Sequence, residues 1–129
     1  MEIKLNKGLQ NKMNSFLENK NEKLNEFLKK IKLDKFYFSK EEINSIIELY
    51  KKDNTLLEYI YIYIGEAVIY VAGGFWSIGK FKKDEAYELP IILGWGGRED
   101  SPRICPDVWL KRIDTDRLRK PLGEMIYSL

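Results

Sequence analysis

The sequence predicts an α+β fold in which N-terminal helices and a buried central helix, at about 55–72, pack on a small antiparallel sheet, with a short C-terminal helix. Three observations support this prediction. Apolar residues recur at spacings of three, four and seven through the first half of the chain, which is the period of amphipathic helices. After Gly73–Gly74 the pattern changes to short aromatic and β-branched runs, which are typical of strands. A last helical segment follows near Pro121.

Two helices are predicted before residue 54. The first covers residues 6–31, with an apolar stripe of Leu9, Met13, Phe16, Leu17, Leu24, Phe27, Leu28 and Ile31. The second begins at "FSKEEI", where Ser39 is the expected N-cap and Glu42 completes a capping box. It is expected to end at Asp53–Asn54. Its buried stripe is expected to comprise Ile43, Ile46, Ile47 and Tyr50.

The stretch 59–76, "YIYIYIGEAVIYVAGGFW", is open to three interpretations. Isoleucines alternate with tyrosines as in a strand, but a strand has to break near Gly65–Glu66, which makes a poor hairpin turn. A helix runs unbroken to Gly73–Gly74, the expected C-terminal stop, and is the interpretation that we adopt. A membrane span is disfavoured because it would place Glu66 in lipid, at a cost of roughly 2–3 kcal/mol or more.

The segments "FWSIGKF" and "YELPIIL" are predicted to pair as antiparallel strands, with Pro90 at an edge or against a bulge. The glycine-rich "GWGGREDSPR" that follows is predicted as a loop. A short helix is expected to begin at Pro106, and a final one to be interrupted or started afresh at Pro121. With 129 residues, the chain 1–129 is expected to form a single domain.

Composition excludes several kinds of chemistry. The chain has no histidine and one cysteine, so a Ser–His or Cys–His nucleophile pair cannot be built within it. For the same reason we expect no metal and no cofactor, and we expect Cys105 to be a packed side chain. The first twenty residues lack the apolar core of a secretion signal, which favours a cytoplasmic protein. The net charge of +2 does not indicate a strongly nucleic-acid-binding surface.

Glu66 is the residue that most invites a catalytic interpretation. A carboxylate in apolar surroundings can serve as an acid or a base, and with Tyr63 or Tyr70 in a pocket it would suit an enzyme or a small-ligand-binding domain. No second carboxylate stands at i±3 or i±4. We therefore expect Glu66 to pair with a lysine or arginine, or to cap backbone groups of a neighbouring loop, and we predict that the protein is not an enzyme.

All five arginines fall in one part of the sequence, at Arg98, Arg103, Arg112, Arg117 and Arg119. Such clustering is one feature of a nucleic-acid face, which leaves a nucleic-acid or phage-associated regulator as an alternative. Five carboxylates are interleaved with these arginines, so pairing at the surface is favoured. Arginine and tryptophan are also enriched at protein-binding hot spots.

The tryptophans suggest where a protein partner binds. Trp76 is expected to pack on the central helix, whereas Trp95 lies between two glycines in a loop and is the first candidate for a contact residue. The predicted contact surface comprises Trp95, Arg98, Glu99 and Asp100, extended by Lys82, Lys83, Asp84 and Glu85.

With "YIGEAVIYVAGGFW" placed as helix, double glycine and aromatic strand, the chain resembles a group of small bacterial α+β domains, most of them uncharacterised. The resemblance covers about 55–115, and residues 1–50 have no counterpart in it. The matching residues are Tyr63, Gly65, Glu66, Gly73, Gly74 and Trp76, followed by Pro106, Trp109, Lys111 and Arg112. The resemblance implies that the glutamate and the glycines of this motif determine the fold, and it brings no catalytic residues.

Similar domains occur among immunity proteins that neutralise toxins delivered between bacteria. The resemblance therefore implies an inhibitor that occludes a cognate toxin domain. Our expectation is a monomer or homodimer that binds neither nucleic acid nor membrane.

Overall fold

The structure, a computed structural model, describes residues 5–114 and 120–129. Within these residues, helices and a two-stranded antiparallel sheet form a small α+β fold, which confirms the predicted fold class. The elements are α1 (Lys7–Ile31), α2 (Lys40–Lys52), α3 (Leu57–Ala72), β1 (Phe75–Ile78), β2 (Pro90–Leu93), α4 (Pro106–Asp114) and α5 (Leu122–Tyr127).

Helix α3 is the centre of the fold, as predicted, and the strand interpretation of this stretch was wrong. One turn of 3-10 helix precedes it, and it ends at Gly73, which has φ of 78°. It contacts every other helix. Its buried residues are Tyr59, Ile60, Ile62, Tyr63, Ile64, Gly65, Ala67 and Val68. The helical stretch Asn54–Ala72 is long and apolar enough to cross a membrane, a criterion that the core helix of a soluble protein also meets.

Helix α1 lies across α3 along the predicted stripe. Asn6 caps its start, since the Asn6 side chain accepts a hydrogen bond of 2.8 Å from the Leu9 backbone N–H. The Phe27 ring is fully buried and nearly parallel to the Tyr59 ring of α3, with 5.8 Å between centroids. Leu17 is 40% exposed, so the buried face of α1 is narrower than the apolar stripe predicted from the sequence.

Helix α2 begins at Ser39, as predicted, and its predicted apolar stripe is buried. The Ser39 hydroxyl accepts from the Glu42 N–H at 3.1 Å. The other half of the capping box differs from the prediction, because the Glu42 carboxylate accepts from the N–H groups of Tyr37 and Phe38 rather than from that of Ser39. Phe38 has a left-handed backbone, with φ of 56°, which places these upstream N–H groups within reach of the carboxylate.

The strands pair as predicted, and the register explains why Pro90 is tolerated. Trp76 lies opposite Ile92, and Ile78 lies opposite Pro90. Ile92 exchanges both of its backbone hydrogen bonds with Ile104, on the side away from β1, at 2.8 and 3.0 Å. Hydrogen-bonded and non-hydrogen-bonded residue pairs alternate along an antiparallel ladder. Because Ile92 does not hydrogen-bond to β1, Pro90, two residues earlier, does not do so either, and its missing N–H costs no hydrogen bond of the sheet. The bridge to Ile104 was not predicted.

The contact between α3 and β1 depends on Gly65. A Cβ atom on Gly65 would lie 2.0 Å from the Trp76 ring, so the indole lies directly against the helix backbone. The Trp76 ring also meets the Phe16 ring edge-on, with 4.7 Å between centroids. This confirms that Trp76 packs on the central helix and shows why Gly65 is required there.

Because of Tyr63, the free energy of unfolding is expected to decrease as the pH rises into the alkaline range. Burial, followed by the hydrogen bond to Glu42, raises the pKa of Tyr63 well above its ordinary value of 10.0. The folded state therefore favours the protonated phenol, and this contribution is complete below about pH 10. As the pH rises further, we expect stability to fall by up to about 1.4 kcal/mol per pH unit, measured by urea denaturation.

Tyr63→Phe is expected to flatten this alkaline loss, whereas Tyr37→Phe, at a tyrosine that is 62% exposed, should leave it unchanged. Equal alkaline losses in wild-type protein and Tyr63→Phe would contradict the assignment to Tyr63. A residual slope is expected from Tyr59, because burial and its hydrogen bond to Glu26 raise the pKa of Tyr59 to about 12.

Candidate protein-binding surface

The loop that follows β2 is held by its own hydrogen bonds. Gly94 has a left-handed backbone and is followed by a single 3-10 turn. The Trp95 indole Nε1 donates to the Pro102 carbonyl at 2.7 Å. The buried Ser101 hydroxyl lies 2.6 Å from the Trp95 carbonyl and 3.1 Å from the Arg98 carbonyl. Trp95 is therefore partly covered and closes the loop, in addition to being a candidate contact residue.

Two aromatic residues and one arginine come together at this loop. The Arg98 guanidinium lies 5.7 Å from the centroid of the Trp95 ring, within range of a cation–π interaction. The Phe75 ring lies over Gly94, since a Cβ atom on Gly94 would be 2.9 Å from it, and Phe75 is 58% exposed. We call Phe75, Gly94, Trp95 and Arg98 the Phe75–Arg98 surface. Glu99 continues it and is exposed.

Phe75 was missed by the sequence analysis. Its exposure could have been predicted from its place next to Trp76 in the strand, because successive residues of a strand point to opposite faces. With Trp76 directed to the core, Phe75 has to point to the other face of the sheet. The structure confirms this alternation along β1.

The second predicted segment, 82–85, forms ion pairs with two arginines that follow the first segment in the chain. Arg103 Nε donates to Asp84 Oδ2 at 2.9 Å, and the second Arg103–Asp84 hydrogen bond makes the pair bidentate. The Arg103 guanidinium holds the pKa of the Asp84 carboxyl below its ordinary value. Arg112 also donates to Glu85 at 2.8 Å. Both carboxylates are thus directed toward arginines of their own chain, whereas the two lysines before them are exposed.

The predicted pairing of the arginines with carboxylates is confirmed for Arg103 and Arg112. Arg98 instead lies over the Trp95 ring, within range of a cation–π interaction. Arg117 and Arg119 lie outside the described residues.

Glu66 forms an ion pair with Lys20, as expected. Glu66 Oε1 lies 2.7 Å from Lys20 Nζ, and only about a fifth of each side chain is exposed (18% for Lys20 and 20% for Glu66). The Tyr63 hydroxyl donates to Glu42, and the Tyr70 ring is 66% exposed and packs on Phe38. In the described part of the chain no hydrogen bond joins either tyrosine to Glu66.

The remaining motif residues occupy structural positions around α4. Pro106 is buried at its first turn, Trp109 packs partly buried against the main core, and Lys111 pairs with Asp107 at 2.7 Å. Cys105 is completely buried, which confirms that it is a packed side chain, and burial raises the pKa of its thiol. Over residues 5–114 and 120–129, no group of three or more acidic, cysteine or histidine side chains is arranged to hold a metal ion.

Comparison of the chain with protein-family models, with curated proteins and with solved structures gave no match in any of the three.

Proposed function

We propose that this protein is a protein-binding inhibitor, and specifically an immunity protein that neutralises a bacterial toxin by covering it with the Phe75–Arg98 surface. The observation that supports binding is the exposed Phe75 ring near the Trp95–Arg98 cation–π pair. Aromatic residues and arginine dominate the energetics of protein–protein interfaces. The toxin as partner rests on the resemblance of the Tyr63–Trp76 motif to immunity-protein-like domains.

The surface is also pre-organised for binding. The Trp95 indole donates to the Pro102 carbonyl, and the single Ser101 hydroxyl proton is shared between the Trp95 and Arg98 carbonyls. The Arg103–Asp84 pair ties the loop to the neighbouring segment. A loop that is already ordered loses less conformational entropy when it binds, which leaves more of the contact energy as affinity. Exposed Glu99 and Asp100 supply a polar rim around the aromatic centre.

Occlusion of a toxin requires no chemistry from the inhibitor, which agrees with the pairing of Glu66. Its carboxylate is oriented by Lys20 between α1 and α3. We therefore assign Glu66 a structural role in joining these two helices.

The partner should be recoverable by co-purification from the native host, and two substitutions then test the surface. Phe75→Ala and Arg98→Glu are each expected to raise the Kd, measured by calorimetry with the purified partner, by roughly tenfold or more, as hot-spot substitutions do. Both changes leave the hydrogen bonds of Ser101 and of the Trp95 indole in place. Trp95→Ala should weaken binding as well, but it also opens the loop.

A matched control is available in the α1–α2 loop, where Lys35 lies 4.7 Å above the ring of exposed Tyr37. The double variant Tyr37→Ala/Lys35→Glu makes the same kind of change and should leave the Kd unchanged. A chain that recovers no partner counts against the proposal. Equal losses of affinity in the control and in the surface variants would place the binding site elsewhere.

A further inference from the structure

The turn that follows β1 carries an exposed phenylalanine among lysines. Phe81 is 57% exposed, and Lys80 Nζ lies 5.8 Å from the centroid of its ring. Lys82 and Lys83 come next in the chain, and both are exposed. We call residues 80–83 the Lys80–Lys83 turn. The two lysines at its end were predicted as contact residues, whereas the phenylalanine was not.

Hydrogen bonds fix the backbone on which this turn is presented. The Asp84 N–H donates to the Phe81 carbonyl at 3.0 Å, and the Tyr87 N–H donates to the Asp84 carbonyl at 3.0 Å. The Asp84 carboxylate also accepts from the Ala86 N–H at 3.2 Å. Because this backbone is already ordered, covering the Phe81 ring with a partner costs little conformational entropy.

The segment 82–85 presents a positive charge that its sequence does not suggest. The letters "KKDE" are neutral in sum. In the structure, however, each of the two carboxylates faces an arginine of its own chain, at 2.9 and 2.8 Å. Lys82 and Lys83 form no ion pair with any residue that the structure describes. The charge of these two lysines is therefore uncompensated and exposed.

The Lys80–Lys83 turn and the Phe75–Arg98 surface fit within one protein footprint. Six residues separate Phe75 from Phe81, so their Cα atoms lie no more than about 22 Å apart. The loop after β2 connects the two regions, because it begins beneath the Phe75 ring and is tied to the segment 82–85 through Arg103. A standard interface buries about 800 Å² per partner, equivalent to a disc roughly 30 Å across. One partner can therefore cover both regions.

We propose that the partner covers the Lys80–Lys83 turn as well, and that it presents there an acidic patch with an apolar recess for the Phe81 ring. This inference rests on the proposed function and adds the chemistry of the partner. Carboxylates of the partner accept charge-assisted hydrogen bonds from Lys82 and Lys83. Since Glu99 and Asp100 carry the opposite charge at the Phe75–Arg98 surface, the acidic patch is expected only opposite the turn.

An anionic membrane would offer the lysines the same charge, but the turn is small for that role. Basic clusters that bind anionic lipid by charge contain roughly four to eight lysines and arginines. The turn has three lysines. A protein that also covers the Phe75–Arg98 surface gains the contacts of both regions, so an acidic protein surface is the favoured occupant.

Association kinetics with the co-purified partner, measured by surface plasmon resonance, test the charge. At low ionic strength Lys82→Glu/Lys83→Glu is expected to lower the association rate constant by roughly tenfold, because opposite charges steer the encounter. Lys51→Glu/Lys52→Glu is the matched control, since it changes the net charge equally at two exposed lysines of α2, and it should leave this rate unchanged. Phe81→Ser should instead raise the dissociation rate constant by roughly tenfold.

Cross-linking tests the chemistry of the partner directly. A carbodiimide joins an amine to a carboxylate that touches it, so Lys82 or Lys83 should be found by mass spectrometry joined to an aspartate or glutamate of the partner. Cross-links from other lysines alone would overturn the inference. Sedimentation with phosphatidylserine vesicles that is lost in Lys82→Glu/Lys83→Glu would also overturn it, by assigning the turn to a membrane surface.

The same measurements separate this inference from the proposed function. If Lys82→Glu/Lys83→Glu and its control associate at the same rate while Phe75→Ala still raises the Kd, the inference is wrong and the proposed function stands. If neither the turn variants nor the Phe75–Arg98 variants change binding, the partner docks elsewhere and both are wrong. Recovery of no partner also contradicts both.

Discussion

Replacing Gly65 with alanine is expected to lower the free energy of unfolding by about 2–3 kcal/mol, the usual cost of overpacking a core. The new methyl group would lie 2.0 Å from the Trp76 ring, far inside van der Waals contact. The ring has little freedom to withdraw, because Trp76 is only 8% exposed and Phe16 packs against its edge. The helix-propensity gain of alanine over glycine, about 1 kcal/mol, offsets part of the clash and is included in this figure.

A double-mutant cycle with Trp76→Phe isolates this contact. The atoms closest to the added methyl group belong to the six-membered part of the indole, which phenylalanine lacks at that depth. Gly65→Ala should therefore cost at least about 1 kcal/mol less in the Trp76→Phe background, measured by urea denaturation. If the cost is the same in both backgrounds, the contact between Gly65 and Trp76 is not what limits the size of residue 65.

The elements of this fold could be predicted because their signals are local. The Ser39 cap, the glycine pair after α3 and the three- and four-residue spacing of apolar positions act over a few residues, so they are readable in the sequence. The strand–helix ambiguity of 59–76 was resolved correctly because the double glycine stood where a helix would end. In the structure Gly73 does adopt the positive φ of a helix terminus.

Contacts between distant residues were not predictable in the same way. The bridge from Ile92 to Ile104 depends on how the loop between them returns to the sheet, and nothing in the local sequence encodes that path. The Glu42–Tyr63 hydrogen bond has the same origin, since it depends on how α2 and α3 pack. The pairing of Glu66 with a basic residue was predicted because no second carboxylate stands one turn away on its helix. Its partner, Lys20, lies 46 residues away in the sequence, on another helix.

The candidate surface was predicted in part for a similar reason. Trp95 and Arg98 belong to one loop, so their proximity followed from the sequence. Phe75 joins them only because β1 and β2 pair with Phe75 opposite Leu93, which brings its ring over Gly94. The carboxylate of Asp84 was predicted as a contact group, and its engagement by Arg103 depends on the tertiary approach of two loops.

Replacing Glu42 with alanine is expected to lower the free energy of unfolding by about 3 kcal/mol, because several donors to one carboxylate lose their acceptor together. Tyr63 is completely buried, and its hydroxyl donates to Glu42 Oε1 at 2.8 Å. The N–H groups of Tyr37 and Phe38 donate to the same carboxylate. Alanine leaves a buried phenol unsatisfied and also releases the left-handed turn at Phe38.

Glu41→Ala is the matched control for this substitution, since it removes an equal charge from the first turn of α2 at an exposed position. Its cost should be only the helix-dipole contribution, about 0.3–1 kcal/mol. In the Tyr63→Phe background the unsatisfied hydroxyl is absent, so Glu42→Ala should cost about 1 kcal/mol less there. Equal costs at positions 41 and 42 would mean that Glu42 acts only as an N-terminal charge, and that the link from α2 to the central helix contributes nothing to stability.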